Sequence, residues 1–247
     1  MALSRTEKGV WISDEGFGLG AFTTGAFTPP NNSLLVVGVG IQTGGEVVDP
    51  SDDLTISDST GLSWTRRGYA GNATWEASGI AVFTAPVTTG TSMTISVDCG
   101  GVEANVYIVE VIAFTGHNGA SPIGAIISDA AMATDGSDSM TLSSSPAATS
   151  IVIAFLGKGL NGTSGTATST HGTGWSEIYD TGLSTCQYLQ SQDRGNSTSS
   201  TVLWDDIFDG AGGPISCAYA VAIEIKILPT AAVTGTATAS ITEADIV

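Results

Sequence analysis

The sequence predicts an all-β protein: an antiparallel β-sandwich, jelly-roll-like, built from two related halves and preceded by an extended N-terminal arm. Short apolar or β-branched runs alternate with turns of Gly, Ser, Thr, Asn and Asp along most of the chain, the pattern of strands joined by tight connections. The runs also recur. Ser33 to Gly40, Gly61 to Trp64, Thr91 to Asp98 and Val106 to Ile112 are echoed in the same order by Ser150 to Phe155, Gly172 to Trp175, Ser199 to Asp206 and Cys217 to Ile225. No helical segment interrupts the regular turn signals, which points to sheets packed as a sandwich.

Residues 1–32 read as the arm, because Gly16, Gly18, Gly20 and Gly25 alternate with Phe17, Phe22 and Phe27 before Pro29 and Pro30. Glycines and a proline pair oppose a helix, so an extended segment with one edge strand is expected. Its phenylalanines need a cover, either the protein's own sandwich or a neighbouring subunit. The first half, about 33–116, offers strands near 33–41, 53–57, 63–69, 77–85, 92–98 and 105–115. Val106 to Phe114 is almost wholly apolar, which predicts a central strand covered on both faces. Weaker strands at 123–128 and 139–142 precede the second half, about 150–227. No Pro-rich or charged linker divides the halves, so a single body over 33–229 is expected. Residues 230–247 are poor in charge and rich in small side chains, and read as a linker or the start of a small C-terminal module.

Composition narrows the function. Seven Lys and Arg against 24 Asp and Glu give a formal net charge of −17, so a phosphate backbone would be repelled and nucleic-acid binding is not expected. No basic segment followed by an apolar stretch opens the chain, and no run of about 20 apolar residues occurs, so neither a signal peptide nor a membrane span is expected and synthesis in a cytosol is. Cys99, Cys186 and Cys217 form no CxxC pair or even-numbered framework, and read as reduced and structural.

Candidate chemistry is sparse. His117 and His171 each sit in a Gly-rich loop, but no Gly-x-Ser-x-Gly elbow accompanies them, so catalysis at either is not expected. The paired acids Asp135 with Asp138 and Asp205 with Asp206 read as turn formers before glycosidase acids. The oxygen-rich segment carrying Asp49, Asp52 and Asp53 is the one place where Ca²⁺ is considered. Trp64 and Trp175 occupy equivalent repeat positions, which favours a shared core role. Trp11 and Trp75 have no such match and are the better candidates for stacking on a glycan.

The run Phe27 to Val37, followed by Leu54 to Trp64, Ala81 to Pro86, Thr94 to Asp98 and Val109 to Gly116, resembles a β-sandwich family that recurs in virion proteins of tailed bacteriophages. The likeness spans most of residues 27–227, and Thr234 to Val247 resembles the opening of a small module of phage structural proteins. The resemblance implies a non-enzymatic virion component, with capsid decoration ahead of a tail fibre or a tail-associated carbohydrate-binding, host-adhesion module. It implies no catalytic residues and no cofactor. Expected partners are other virion proteins, further copies of the chain in a homo-oligomer, and a host surface glycan. Phe17, Phe22 and Phe27 are the candidate subunit contacts.

Overall fold

The computed structural model describes residues 2–13, 20–43, 53–71, 78–100, 104–133, 136–160, 168–182, 187–208 and 215–227. Every named element among them is a β-strand. The first eight are β1 (Ser4–Ser13), β2 (Phe22–Thr23), β3 (Ser33–Thr43), β4 (Thr55–Asp58), β5 (Thr65–Gly71), β6 (Ser78–Val87), β7 (Ile95–Asp98) and β8 (Ala104–Thr115). The second eight are β9 (Ile123–Met132), β10 (Asp138–Thr141), β11 (Ile151–Leu160), β12 (Thr168–His171), β13 (Ser176–Gly182), β14 (Gln187–Gly195), β15 (Thr201–Phe208) and β16 (Ile215–Ile225).

Pairing is antiparallel throughout and doubles the same plan. The first eight strands form a five-stranded sheet, β1-β8-β3-β6-β5, and a three-stranded sheet, β2-β7-β4. The second eight form β9-β16-β11-β14-β13 and β10-β15-β12, the same orders with eight added to each label. The fifth strand of each set bonds to the sixth, so each half is a sandwich of five strands on three. The repeating units in the structure run from 4 to 115 and from 123 to 225. The first 32 residues therefore supply β1, on the edge of the first five-stranded sheet, and β2, which pairs with β7.

The apolar runs form central strands because both of their faces are covered. Successive strand side chains point to opposite faces. Leu35, Val37, Val39 and Ile41 of β3 enter a core with Ile95, Val97, Tyr107 and Val109 inside the first half. Leu34 and Val36, on the other face, join Ile80, Val82, Ile108 and Phe114 against Ile153, Phe155, Leu189, Tyr219 and Val221 of the second half. A third core, with Val152, Leu156, Trp175, Val202 and Trp204, fills the second half. The molecule is thus a stack of four layers, of three, five, five and three strands, with the five-stranded sheets back to back.

Register locates the axis relating the halves. One row across the first five-stranded sheet reads Val10, Glu110, Gly38, Val82, Gly68. The equivalent row across the second reads Ser128, Val221, Phe155, Ser191, Tyr179. Gly38 and Phe155 are repeat equivalents, and they meet: a Cβ at position 38 would stand 2.5 Å from two ring carbons of Phe155. The glycine makes room for the ring at the approximate two-fold between the halves. On one side of this point Gly68 backs onto Ser128 and Val221; on the other Glu110 faces Ser191.

Candidate functional site

Among the described residues, those singled out by sequence do not converge on one place. Phe27 is 8% exposed in the first core, where its ring lies 5.6 Å from that of Trp11, and Phe22 stacks on Tyr107 at 6.0 Å. The chain's own sandwich covers both rings, while Phe17 lies outside the described residues. Trp11 is half-buried and its indole lies over Gly9 and Gly25 as well as against Phe27, so much of the ring is engaged internally. Trp75, Asp49, Asp52, Asp135 and Cys186 lie outside the described residues, and Asp53 is exposed. Among the described residues no group of three His, Cys, Asp or Glu side chains is placed to hold a metal ion.

The remaining acids and histidines take separate places. Asp138 accepts hydrogen bonds from the amides of Ala133 and Ser139, a turn role. Asp205 accepts from the Thr173 hydroxyl at 2.6 Å, and Asp206 pairs in the ladder with Thr170. His171 Nδ1 stands 3.6 Å from Glu177, each side chain 41% exposed. His117 forms an isolated bridge with Ile227 and lines a separate cavity with Pro86, Val87 and Gly119. Cys99 and Cys217 are buried and outside any disulfide.

Trp64 and Trp175 do share a packing role, each against the core of its own half. Their polar ends differ. Asp58 holds the Trp64 turn, its Oδ1 accepting from the Thr60 amide and hydroxyl and the Gly61 amide, its Oδ2 from the Leu62 amide and Trp64 Nε1. Burial raises the Asp58 carboxyl, but the bonds from the Thr60 and Trp64 side chains and the two backbone amides outweigh it and hold it below the usual aspartate value.

Two polar clusters that sequence reasoning passed over are more unusual, and both involve β14. On the face of β11 that enters the third core, Lys158 is fully buried with its Nζ 4.4 Å above the Tyr188 ring. The Tyr188 hydroxyl lies 2.9 Å from Ser169 Oγ, which donates to Gln190 Oε1, and Gln192 bonds the Gly172 amide and the Leu203 carbonyl. The equivalent positions in the first half are apolar: Ile41 for Lys158, Ala81 for Gln190 and Phe83 for Gln192. These side chains tie β14 to β12 and β15 by hydrogen bonds where the first half uses packing.

The second cluster lies on the seam between the halves. Glu110, 1% exposed within the apolar stretch from Val106 to Phe114 of β8, accepts a 2.8 Å bond at Oε1 from Ser191 Oγ, while its Oε2 has no hydrogen-bond partner among the described residues. A buried oxygen left without a hydrogen bond costs about 1–3 kcal/mol. That oxygen belongs to a group lining a cavity of about 290 Å³, with Glu7, Gly9, Val10, Val111 and Tyr179. Arg5 pairs with Asp193 at 2.6 Å across the seam and with Glu7 at 3.4 Å. Burial pushes the Glu110 carboxyl up to about 8, with the nearby Glu7 charge adding to it and the Ser191 bond and Arg5 opposing it. At neutral pH this side chain is a neutral acid inside the molecule. The sequence signal was one charged residue in a strand expected to be covered on both faces.

Compared with known proteins, the chain matches no family model and no curated protein.

Proposed function

We propose that the chain is a non-catalytic structural protein of a tailed-phage virion, carried on the particle in several copies, with capsid decoration as its place. The observation that carries this reading is the back-to-back stacking of two like sandwiches. It buries both five-stranded sheets and leaves the three-stranded sheets as the two outer faces of one block. Those faces are short-chained and polar: Thr23, Thr55 and Ser57 on one, Ser139, Thr141 and Thr201 on the other. Such faces can pack closely on a neighbour without ordering long charged side chains, and the net charge of −17 keeps unassembled copies apart in solution. A rigid block with two similar faces suits bridging between repeated subunits.

Quantitative mass spectrometry of purified particles from the phage that encodes the chain tests the proposal through its copy number. Hundreds of copies per particle are expected. A handful to a few dozen would move the chain to the tail, where the host-adhesion alternative applies, and absence from purified particles would refute a virion role.

A further inference from the structure

We propose that the cavity on the seam between the halves is a binding site for a small organic cation, an alkylammonium, held by Glu110 at its buried end and Glu7 at its exposed side. Geometry and the duplication together lead there. The row that carries Glu110 has an equivalent on the other side of the two-fold, built from the same strands in the second half. There Val221 stands in place of Glu110, Val82 in place of Ser191, Gly68 in place of Tyr179 and Ser128 in place of Val10. That side is closed, since even a methyl at Gly68 would come within 2.9 Å of Val221 and 2.6 Å of the Ser128 hydroxyl. The fold can therefore complete its seam tightly, and the molecule contains its own demonstration of it. On the Glu110 side it instead keeps an open volume, a buried carboxyl with one oxygen unpartnered, and an aromatic ring.

The charge around that volume selects the ligand. Three carboxyl groups, Glu7, Glu110 and Asp193, share a single guanidinium, and Arg5 already lies 2.6 Å from Asp193 and 3.4 Å from Glu7. β3 presents only Gly38 in this row, β14 adds Ser191, and β13 adds Tyr179. The remaining charge on β1, Lys8, stands in the bulge between Glu7 and Gly9. Among the described residues no basic side chain lines the cavity, so an anion finds no partner there. An ammonium would meet Glu110, the more exposed Glu7 and the face or edge of Tyr179, a combination of carboxylate and aromatic ring that favours cations. Val10 offers apolar contact for a short alkyl chain.

Because burial raises the Glu110 carboxyl to about 8, a cation bound against its carboxylate displaces a proton from it near neutral pH. Affinity then rises with pH until the acid ionises unaided, and levels off above it. Calorimetric titration of the full chain with ethylammonium chloride at pH 6.5 and pH 8.5, against sodium chloride at equal ionic strength, reads this out. Ethylammonium should bind about 20-fold more tightly at the higher pH, with close to one proton released per ligand at the lower, measured from buffers of different ionisation heat. Glu110→Gln, close in shape to the neutral acid, should abolish both binding and proton release. Glu7→Gln should weaken binding several-fold and retain the proton release, a check that does not depend on altering the buried position. Heats identical to those of sodium chloride, or binding that is independent of pH, would overturn the proposal. So would binding that survives in Glu110→Gln.

Discussion

Alanine at position 38 should destabilise the native chain yet be tolerated once the ring opposite it is gone. A Cβ there would stand 2.5 Å from two carbons of the Phe155 ring and 3.2 Å from a third, so the two five-stranded sheets must part or the ring must leave its rotamer. Overpacking of this kind costs about 1–3 kcal/mol, against which the lower entropy cost of alanine in a strand returns about 0.5–1 kcal/mol. The net for Gly38→Ala is a loss of about 1–2 kcal/mol. Phe155→Ala alone removes a fully buried ring from the middle core and should cost about 3–5 kcal/mol. In that background the clash is absent and the new methyl fills part of the vacated space, so Gly38→Ala should be neutral or stabilising. The double-mutant cycle should give a coupling of about 1–3 kcal/mol, read by urea unfolding of all four proteins. For a chain of this size each kcal/mol also moves the melting temperature by about 2–4 °C. Additivity within about 0.5 kcal/mol would show that the two positions do not touch, and the back-to-back arrangement would fall with it.

Two further outcomes follow from the buried and half-buried acids. Asp58→Ala removes every bond that holds the Thr60 to Trp64 turn to its side chain and should cost about 1–2 kcal/mol; because the folded carboxyl is depressed, its contribution is present above the unfolded value and fades as pH falls through the folded one, which acid titration of wild type against Asp58→Asn will register. Glu110 has the opposite sign. Its folded value lies near 8, above the 4.5 of a free glutamate, so its contribution is complete below the lower value and is lost as pH rises through the higher. Relative to Glu110→Gln, wild type should lose stability on the order of 3–5 kcal/mol between pH 4.5 and 8, and parallel pH profiles for the two proteins would contradict the assignment.

What the sequence made legible was decided by periodicity. Ser33 to Gly40 and Val106 to Phe114 announce covered strands because both faces need apolar side chains, and the structure places them as β3 and β8 at the centre of their sheet. Of β1 only an edge strand somewhere in the first 32 residues was legible, and its extent was obscured for the reverse reason. On the outer edge of its sheet it presents half-exposed residues such as Arg5, Glu7 and Lys8 without a clean alternation, and the glycines and phenylalanines that follow dominated the reading of an arm. β9 and β10 were visible as strands, but their equivalence to β1 and β2 is carried by pairing partners, which no local pattern encodes. Gln190, Ser191 and Gln192 are fully buried although their side chains are polar, and only their partners across the layers, Ser169, Glu110 and Gly172, explain why. Glu110 and Lys158 did leave a trace, as isolated charges in apolar strands. A charge that must sit between two covered faces is either bonded or lines a space, and a site search guided by that rule would have started from these two residues.

The account rests on two like halves sharing one middle core, and differential scanning calorimetry of the full chain tests this most directly. Leu34, Val36, Ile80 and Val82 lose their cover if Ile153, Phe155 and Val221 unfold, so neither half should outlast the other. One transition is expected, with calorimetric and van't Hoff enthalpies in a ratio near one. Two resolved transitions, each carrying about half of the heat, would mean that the sandwiches fold independently and that the rigid four-layer block does not exist.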